Sequence, residues 1–197
     1  MNSTTCYYNQ HAGQFIADTL HVDMESLYQR FLGHLPAGAH VLDAGCGAGR
    51  DALAFRQRGY RVSAFDASQA LADHASQLLG QPVPVRRFDE VDEIERYDGI
   101  WACASLLHVP AAHMPGNFQA LWQALKPGGV LYCSFKLGTG ERDRNGRRFT
   151  DANEDQIRQW IQDLTGLAGL DCWLTEDRRP DRQEQWLNCL LRKATPN

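Results

Sequence analysis

No part of the 197-residue chain is apolar for long enough to cross a membrane as a helix, which takes about 20 consecutive residues. A membrane partner is therefore not expected. Basic residues are not in excess either. The formal net charge is −4, which argues against a nucleic-acid partner, since that role favours basic faces. The opening MNSTTCYYNQ lacks a basic segment followed by an apolar one, so no secretory signal is expected, and the expected compartment is the cytoplasm. There are six cysteines, Cys6, Cys46, Cys103, Cys133, Cys172 and Cys189, but no C-x-x-C pair, so neither zinc nor thioredoxin-like chemistry is supported and no metal is expected. Cys103, Cys133 and Cys189 fall in apolar, strand-like runs, where a reduced thiol packs as a small hydrophobe. Repeats, low-complexity segments and linkers are absent. The length suits one domain over 1–197 that buries its own core.

What is present alternates. DMESLYQRFLGHL places Met24, Leu27, Tyr28, Phe31, Leu32 and Leu35 on one helical face, with Asp23 as N-cap and Pro36 and Gly38 as the stop. Residues 1–38 then read as a helical cap or lid, and 39–197 as the core. In the core, HVLDA, YRVSAFD, VPVRRF, DGIWACAS and VLYCSF read as strands separated by helices. Pro84 marks VPVRRF as weak and at an edge. A polar loop, KLGTGERDRNGRR, precedes a helix capped near Thr150 or Asp151 and carrying Ile157, Trp160, Ile161 and Leu164. LDCWLT and QWLNCLL close the chain. The link between them is too short for a parallel crossover, so this pair is predicted antiparallel. The pattern predicts an α/β, doubly wound sheet of seven strands, mostly parallel with the last strand antiparallel, under an N-terminal helical cap.

The stretch VLDAGCGAGR, residues 41–50, runs from the first strand into a glycine loop and then a helix. Its glycines let backbone approach a ligand, and the helix offers free N–H groups to an anion. The dinucleotide fingerprint is G-x-G-x-x-G. Here Gly45, Gly47 and Gly49 give G-x-G-x-G, and Arg50 stands where the last glycine would be. Asp43 lies two residues before the first glycine. A carboxylate there repels a pyrophosphate and suits a ligand carrying an ammonium group.

VLDAGCGAGR resembles motif I of the class I S-adenosylmethionine-dependent methyltransferases, and the resemblance extends over nearly the whole chain. Asp66, closing the second strand, matches the acidic residue for the ribose hydroxyls. Asp89, in RRFDE, matches the position that meets the adenine amino group. LKPGGVLYCSF resembles the entry to strand five, and the final antiparallel pair is another mark of that Rossmann-like fold. The segment CGAGRDALAFRQRGYRVSAFDAS is similar to small bacterial tellurite-resistance-type and thiopurine-type methyltransferases. The resemblance implies S-adenosylmethionine as cofactor and S-adenosylhomocysteine as product. It implies contacts from Asp43, Gly45, Cys46, Gly47, Gly49 and Arg50, and from Asp66, Ala67, Phe88, Asp89 and Ala104. A bidentate carboxylate contact from Asp66 to a ribose diol is worth ~1.5–3 kcal/mol. Asp66 also reads as an N-cap for the helix from Ser68, and Asp89 as part of the solvated acidic run DEVDEIE.

The acceptor side is less defined. ACASLLHVP, after the fourth strand, faces the methyl group in this family and lacks the [DN]-P-P-[YF] motif of methyltransferases acting on DNA bases or glutamine. His108 is its titratable side chain, either a general base or a histidine packed in the turn. CYYNQHAGQF reads as a lid over the methionine end of the cofactor and part of the acceptor pocket, in which Tyr8, rather than Tyr7, faces inward as a cofactor contact and Phe15 packs. Lys136 and Arg147, in a net-positive loop with Arg142, Arg144 and Arg148, would suit an anionic small-molecule acceptor. The loop with Arg178, Arg179 and Arg182 against Glu176, Asp177, Asp181 and Glu184 is balanced and reads as ordinary surface. A monomer or homodimer is expected. Two other functions fit a glycine loop of this kind. One is a non-catalytic S-adenosylmethionine-binding or S-adenosylhomocysteine-binding module. The other is a nicotinamide oxidoreductase, which Arg50 and the lack of a substrate domain disfavour.

Overall fold

A computed structural model describes residues 3–177 and 184–195. Three helices come first: α1 (Ser3–Gln10), α2 (Ala12–Thr19) and α3 (Glu25–Leu32). Asp23 Oδ1 accepts from Glu25 N at 2.9 Å, so it serves the start of α3 although Met24 holds the N-cap position. Leu27, Tyr28 and Phe31 form the buried stripe of α3.

The main sheet contains β1 (His40–Ala44), β2 (Arg61–Phe65), β3 (Tyr97–Ala102), β4 (Leu125–Lys136), β7 (Leu167–Glu176) and β8 (Gln185–Lys193). Its order is β2-β1-β3-β4-β8-β7. The first four strands pair in parallel, and β8 runs antiparallel to both β4 and β7. Helices α4 (Arg50–Gln57), α5 (Gln69–Leu79), α6 (Met114–Ala124) and α7 (Glu154–Trp160) complete the wound core. Alternation along the strands decides which face each side chain fills. Leu42, Ile100, Leu131 and Leu191 pack with Phe118, Trp122, Ile157 and Trp160 on one face. Val41, Trp101, Tyr132 and Leu190 pack with Tyr28, Phe31 and Phe55 on the other. Among the described residues, no helix is long and apolar enough to cross a membrane.

Three expectations need correction. The main sheet has six strands, not seven. VPVRRF contributes a single parallel bridge, Val85 to Asp66, before the chain turns at Phe88–Glu90. Pro82 and Pro84 lack the N–H groups that a ladder would need. The polar loop contains a hairpin, β5 (Glu141–Arg144) and β6 (Arg147–Thr150). Its turn is Asn145-Gly146, both at positive φ (51° and 76°), the conformation a two-residue hairpin turn demands. Finally, α7 is capped by Asn153, whose side chain accepts from Gln156 N at 2.9 Å. Thr150 is still in β6, so the helix starts later than its spacing suggested.

Candidate functional site

The strand order reverses between β1 and β3, and the glycine loop leaves β1 at that point. In an open α/β sheet this is where ligands bind. The loop is drawn tight. Gly45 and Cys46 both donate to Phe65 O, at 3.0 and 2.9 Å. Gly45 has φ +74°, and a Cβ on it would lie 2.6 Å from Ser105 Cβ. Ser105 is fixed there by donating to Ala44 O at 2.7 Å. A Cβ on Gly47 would meet the Phe15 ring at 3.1 Å, so α2 lies directly on the loop.

A cavity of about 720 Å³ extends from this loop, within the range of small-molecule sites. Gly45, Cys46, Gly47, Arg50 and Ala104 line it on the loop side. Tyr8, His108, Lys136 and Arg147 line it on the far side. Asp43, Gly49, Asp66, Ala67, Phe88 and Asp89 are not on its wall. Asp43 sits behind the loop, 2% exposed, with Oδ2 accepting from Ala52 N at 3.0 Å. Burial and the nearby Asp51 charge raise its pKa well above the usual carboxylate value. Gly49 lets α4 approach α5, with Ala75 Cβ 3.1 Å from where its own Cβ would be. Phe88 packs edge-on against Phe65 at 5.4 Å. Asp89 is exposed and bonded to Arg87 at 2.9 Å.

Asp66 receives Gly47 N on Oδ2 and Ser68 N on Oδ1, both at 2.8 Å. Burial raises its pKa, and these N–H bonds oppose the shift. Ser68, not Asp66, caps α5 by accepting from Leu71 N. Each carboxylate oxygen of Asp66 can accept a second hydrogen bond, so a ribose diol fits its remaining capacity.

Arg50 is bonded through each of its three nitrogens. Its Nε and one amino group hold both oxygens of Asp51, at 2.6 and 3.0 Å, and the other amino group reaches Thr19 O at 3.1 Å. Asp51 also accepts from Tyr28 OH (2.5 Å) and Trp101 Nε1 (2.8 Å). Burial would raise the Asp51 pKa, but Arg50 and these donors hold it below the usual value.

The N-terminal helices are tied to the core at several points. Asn9 Oδ1 accepts from Ser68 Oγ at 2.7 Å and from Ala70 N at 3.2 Å. Thr4 Oγ1 accepts from Arg148 N at 3.0 Å. The Tyr8 hydroxyl lies 2.9 Å from His108 Nε2. Tyr7 instead stacks on His11 and carries the Arg147 guanidinium 4.4 Å above its ring. His108 Nδ1 lies 2.7 Å from Arg148 O. A carbonyl only accepts, so Nδ1 carries the proton and Nε2 accepts from Tyr8. Burial lowers the His108 pKa to about 4, against the favourable contact with Arg148 O, and raises that of Tyr8.

Lys136 is 5% exposed, and its Nζ pairs with Glu184 Oε2 at 2.6 Å. Arg144 reaches Glu184 Oε1 at 3.2 Å. Arg147 has no carboxylate partner among the described residues, and its Nε lacks a hydrogen bond. Ala104, at φ +50°, is a non-glycine residue in the left-handed region, held by donating N–H to Ser134 Oγ at 2.8 Å. Strain of this kind costs of order 1–3 kcal/mol and concentrates at functional sites.

Several of these roles escaped the sequence reading. Asp51 carries no sequence mark that separates it from any acid in a first helical turn. Glu184 was expected to be plain surface, yet it lines the cavity and neutralises Lys136. Asn9 and Thr4 carried no signal, because their partners are remote in sequence. Arg178, Arg179, Asp181 and Arg182 lie outside the described residues.

Comparison with known proteins agrees with this geometry. The methyltransferase-domain family matches residues 16–170. The carboxy-S-adenosyl-L-methionine synthase of Chromohalobacter salexigens is 31% identical over 122 residues, covering 57% of this chain and 45% of that protein. The malonyl-[acyl-carrier protein] O-methyltransferase of Serratia marcescens is 30% identical over 136 residues, covering 61% and 50%. The chain thus spans about half the length of the curated relatives it matches. Among solved structures, the Burkholderia thailandensis 1,6-didemethyltoxoflavin-N1-methyltransferase, with bound 1,6-didemethyltoxoflavin and S-adenosylhomocysteine, superposes with a TM-score of 0.77. That match has 23% identity over 96% of this chain and 85% of the other. With the glycine loop at the switch point and the family match over most of its length, the chain belongs to the class I S-adenosylmethionine-dependent methyltransferases.

Proposed function

We propose that this chain methylates a small-molecule acceptor bearing an anionic group, using S-adenosylmethionine as donor. The observation that carries this reading is one cavity running from the glycine loop to Tyr8, His108 and Arg147. Gly45, Gly47 and the start of α4 would hold the amino-acid end of the cofactor, and Asp66, which lies off the cavity wall and holds Gly47 N at 2.8 Å, would offer its remaining acceptor capacity to the ribose. When bound, the cofactor supplies an electrophilic methyl group on a sulfonium. The chain itself then has to position the acceptor and exclude water, which are the main demands of an in-line displacement.

Tyr8 and Phe15 close the cavity from the lid side, their rings edge-on at 5.1 Å. His108 is neutral at pH 7, with Nε2 accepting from the Tyr8 hydroxyl and Nδ1–H held by Arg148 O. It takes up a proton only from an acceptor that becomes acidic as it is methylated. Otherwise it orients the Tyr8 hydroxyl toward the acceptor. Arg147 is the group for an anion, because Lys136 is already neutralised by Glu184.

Two measurements test the proposal. Thermal shift with S-adenosylhomocysteine against NADH should show stabilisation by the former alone; no stabilisation by it overturns the cofactor reading. Transfer from methyl-labelled cofactor into a panel of anionic, neutral and cationic small molecules should label anionic members. Labelling of only neutral or cationic ones sinks the anionic class. Cofactor binding with no labelled product from any acceptor or cell extract would mark a binding module instead.

A further inference from the structure

Three of the cysteines stand in one row across the sheet. In the antiparallel registers, Cys189 of β8 faces Cys133 of β4 on one side and Cys172 of β7 on the other. The Sγ atoms of Cys172 and Cys189 are 2.9 Å apart. Directly opposed residues of an antiparallel pair have Cα atoms about 4.5–5.5 Å apart, inside the span of roughly 4.4–6.8 Å that a disulfide bridges. Backbone register and side-chain contact therefore agree. The two sulfurs differ in access: Cys189 is fully buried, and Cys172, on the edge strand, is partly exposed.

We infer that Cys172 and Cys189 are a modification site, a dithiol that hydrogen peroxide closes into a reversible cross-strand disulfide. Cys172, as thiolate, attacks one peroxide oxygen. An S–O bond forms, the O–O bond breaks, and hydroxide leaves and is protonated to water. The Cys189 sulfur then attacks the sulfenic sulfur. An S–S bond forms, the S–O bond breaks, and a second water leaves with the Cys189 proton. Two thiols and one peroxide give one disulfide and two waters. The contact with Cys189 and burial hold the Cys172 thiol protonated, which makes the first step slow and dependent on oxidant dose. Cys133 is also fully buried, so it lacks the access that lets Cys172 react first. The disulfide would pin β7, which carries Thr175 and Glu176 on the cavity wall, to β8, which carries Trp186 and Asn188. The inference rests on the sheet and does not depend on the proposed transferase activity.

The test treats the full chain with excess hydrogen peroxide, blocks remaining thiols, digests and maps the peptides by mass. The expected result is a linked peptide pair containing Cys172 and Cys189, two hydrogens lighter than the free pair and separated by dithiothreitol. Recovery of Cys172 as free thiol or as sulfinic or sulfonic acid overturns the inference. So does a Cys133–Cys189 link formed in preference. Cys172→Ser supplies a second readout: its Cys189 should stay a free thiol at the same dose, and equal loss of Cys189 thiol in both proteins overturns the assigned pair. The mapping on the unaltered chain stands whether or not this variant folds.

Discussion

The Tyr8 hydroxyl and His108 Nε2 are 2.9 Å apart although the residues are 100 positions apart in sequence. One comes from the first helix and the other from the turn after β3. The pair exists only while α1 lies on the core. Tyr8→Phe removes the hydroxyl and keeps the ring. Turnover should fall by roughly 10–100-fold, consistent with loss of one positioned proton or hydrogen bond. Affinity for S-adenosylhomocysteine, measured by calorimetry, should change little.

Stability should depend on pH through His108. Its folded pKa is lowered to about 4 from 6.5. Between these values the unfolded chain binds more protons, so stability is full above about pH 6.5 and drains away as pH falls toward 4. From pH 7.5 to 5 this single residue accounts for about 2 kcal/mol. Urea unfolding of the parent and of His108→Gln at both pH values checks it. The variant should lose less on acidification.

Gly45→Ala adds a methyl where the nearest atom is 2.6 Å away, at a backbone φ of +74°. Overpacking and strain together should cost about 1–3 kcal/mol. The melting temperature should drop by roughly 3–10 °C, and S-adenosylhomocysteine should stabilise the variant less than the parent.

Arg147 and Lys136 should separate cleanly. Arg147→Gln is expected to raise KM for an anionic acceptor more than tenfold with little change in melting temperature. Lys136→Gln removes the ammonium paired with Glu184 Oε2 and should destabilise by about 1–3 kcal/mol. Steady-state kinetics and thermal melts on the two variants decide this.

The legible part of the protein was local. VLDAGCGAGR is a strand, a loop and a helix start in ten consecutive positions, and the alternation of strands and helices needed only short windows. What escaped was either non-local or disguised. The third expected strand failed because Pro82 and Pro84 each lack a donor, an effect stronger than the β-branched Val83 and Val85 around them. The Asn145-Gly146 turn was visible as a dipeptide, but charged residues flank it in place of alternating apolar ones, so the hairpin passed for a loop. Glu184 and Lys136 are 48 positions apart, and only the closed sheet brings them together. Asp43 illustrates the reverse: an acid beside a ligand loop suggested an outward contact, and the fold turned it inward to α4.

The tautomer of His108 is written into main chain, not into any side chain. Arg148 donates its N–H to Thr4 and offers its carbonyl to Nδ1, and every amino acid at that position has the same carbonyl. Substitution at 148 therefore leaves the imidazole oriented. An inserted or deleted residue in the Asn145-Gly146 turn does not, because a one-residue slip in a strand exchanges its two faces. The site tolerates changes of letter at this point in the hairpin and is fragile to changes of length.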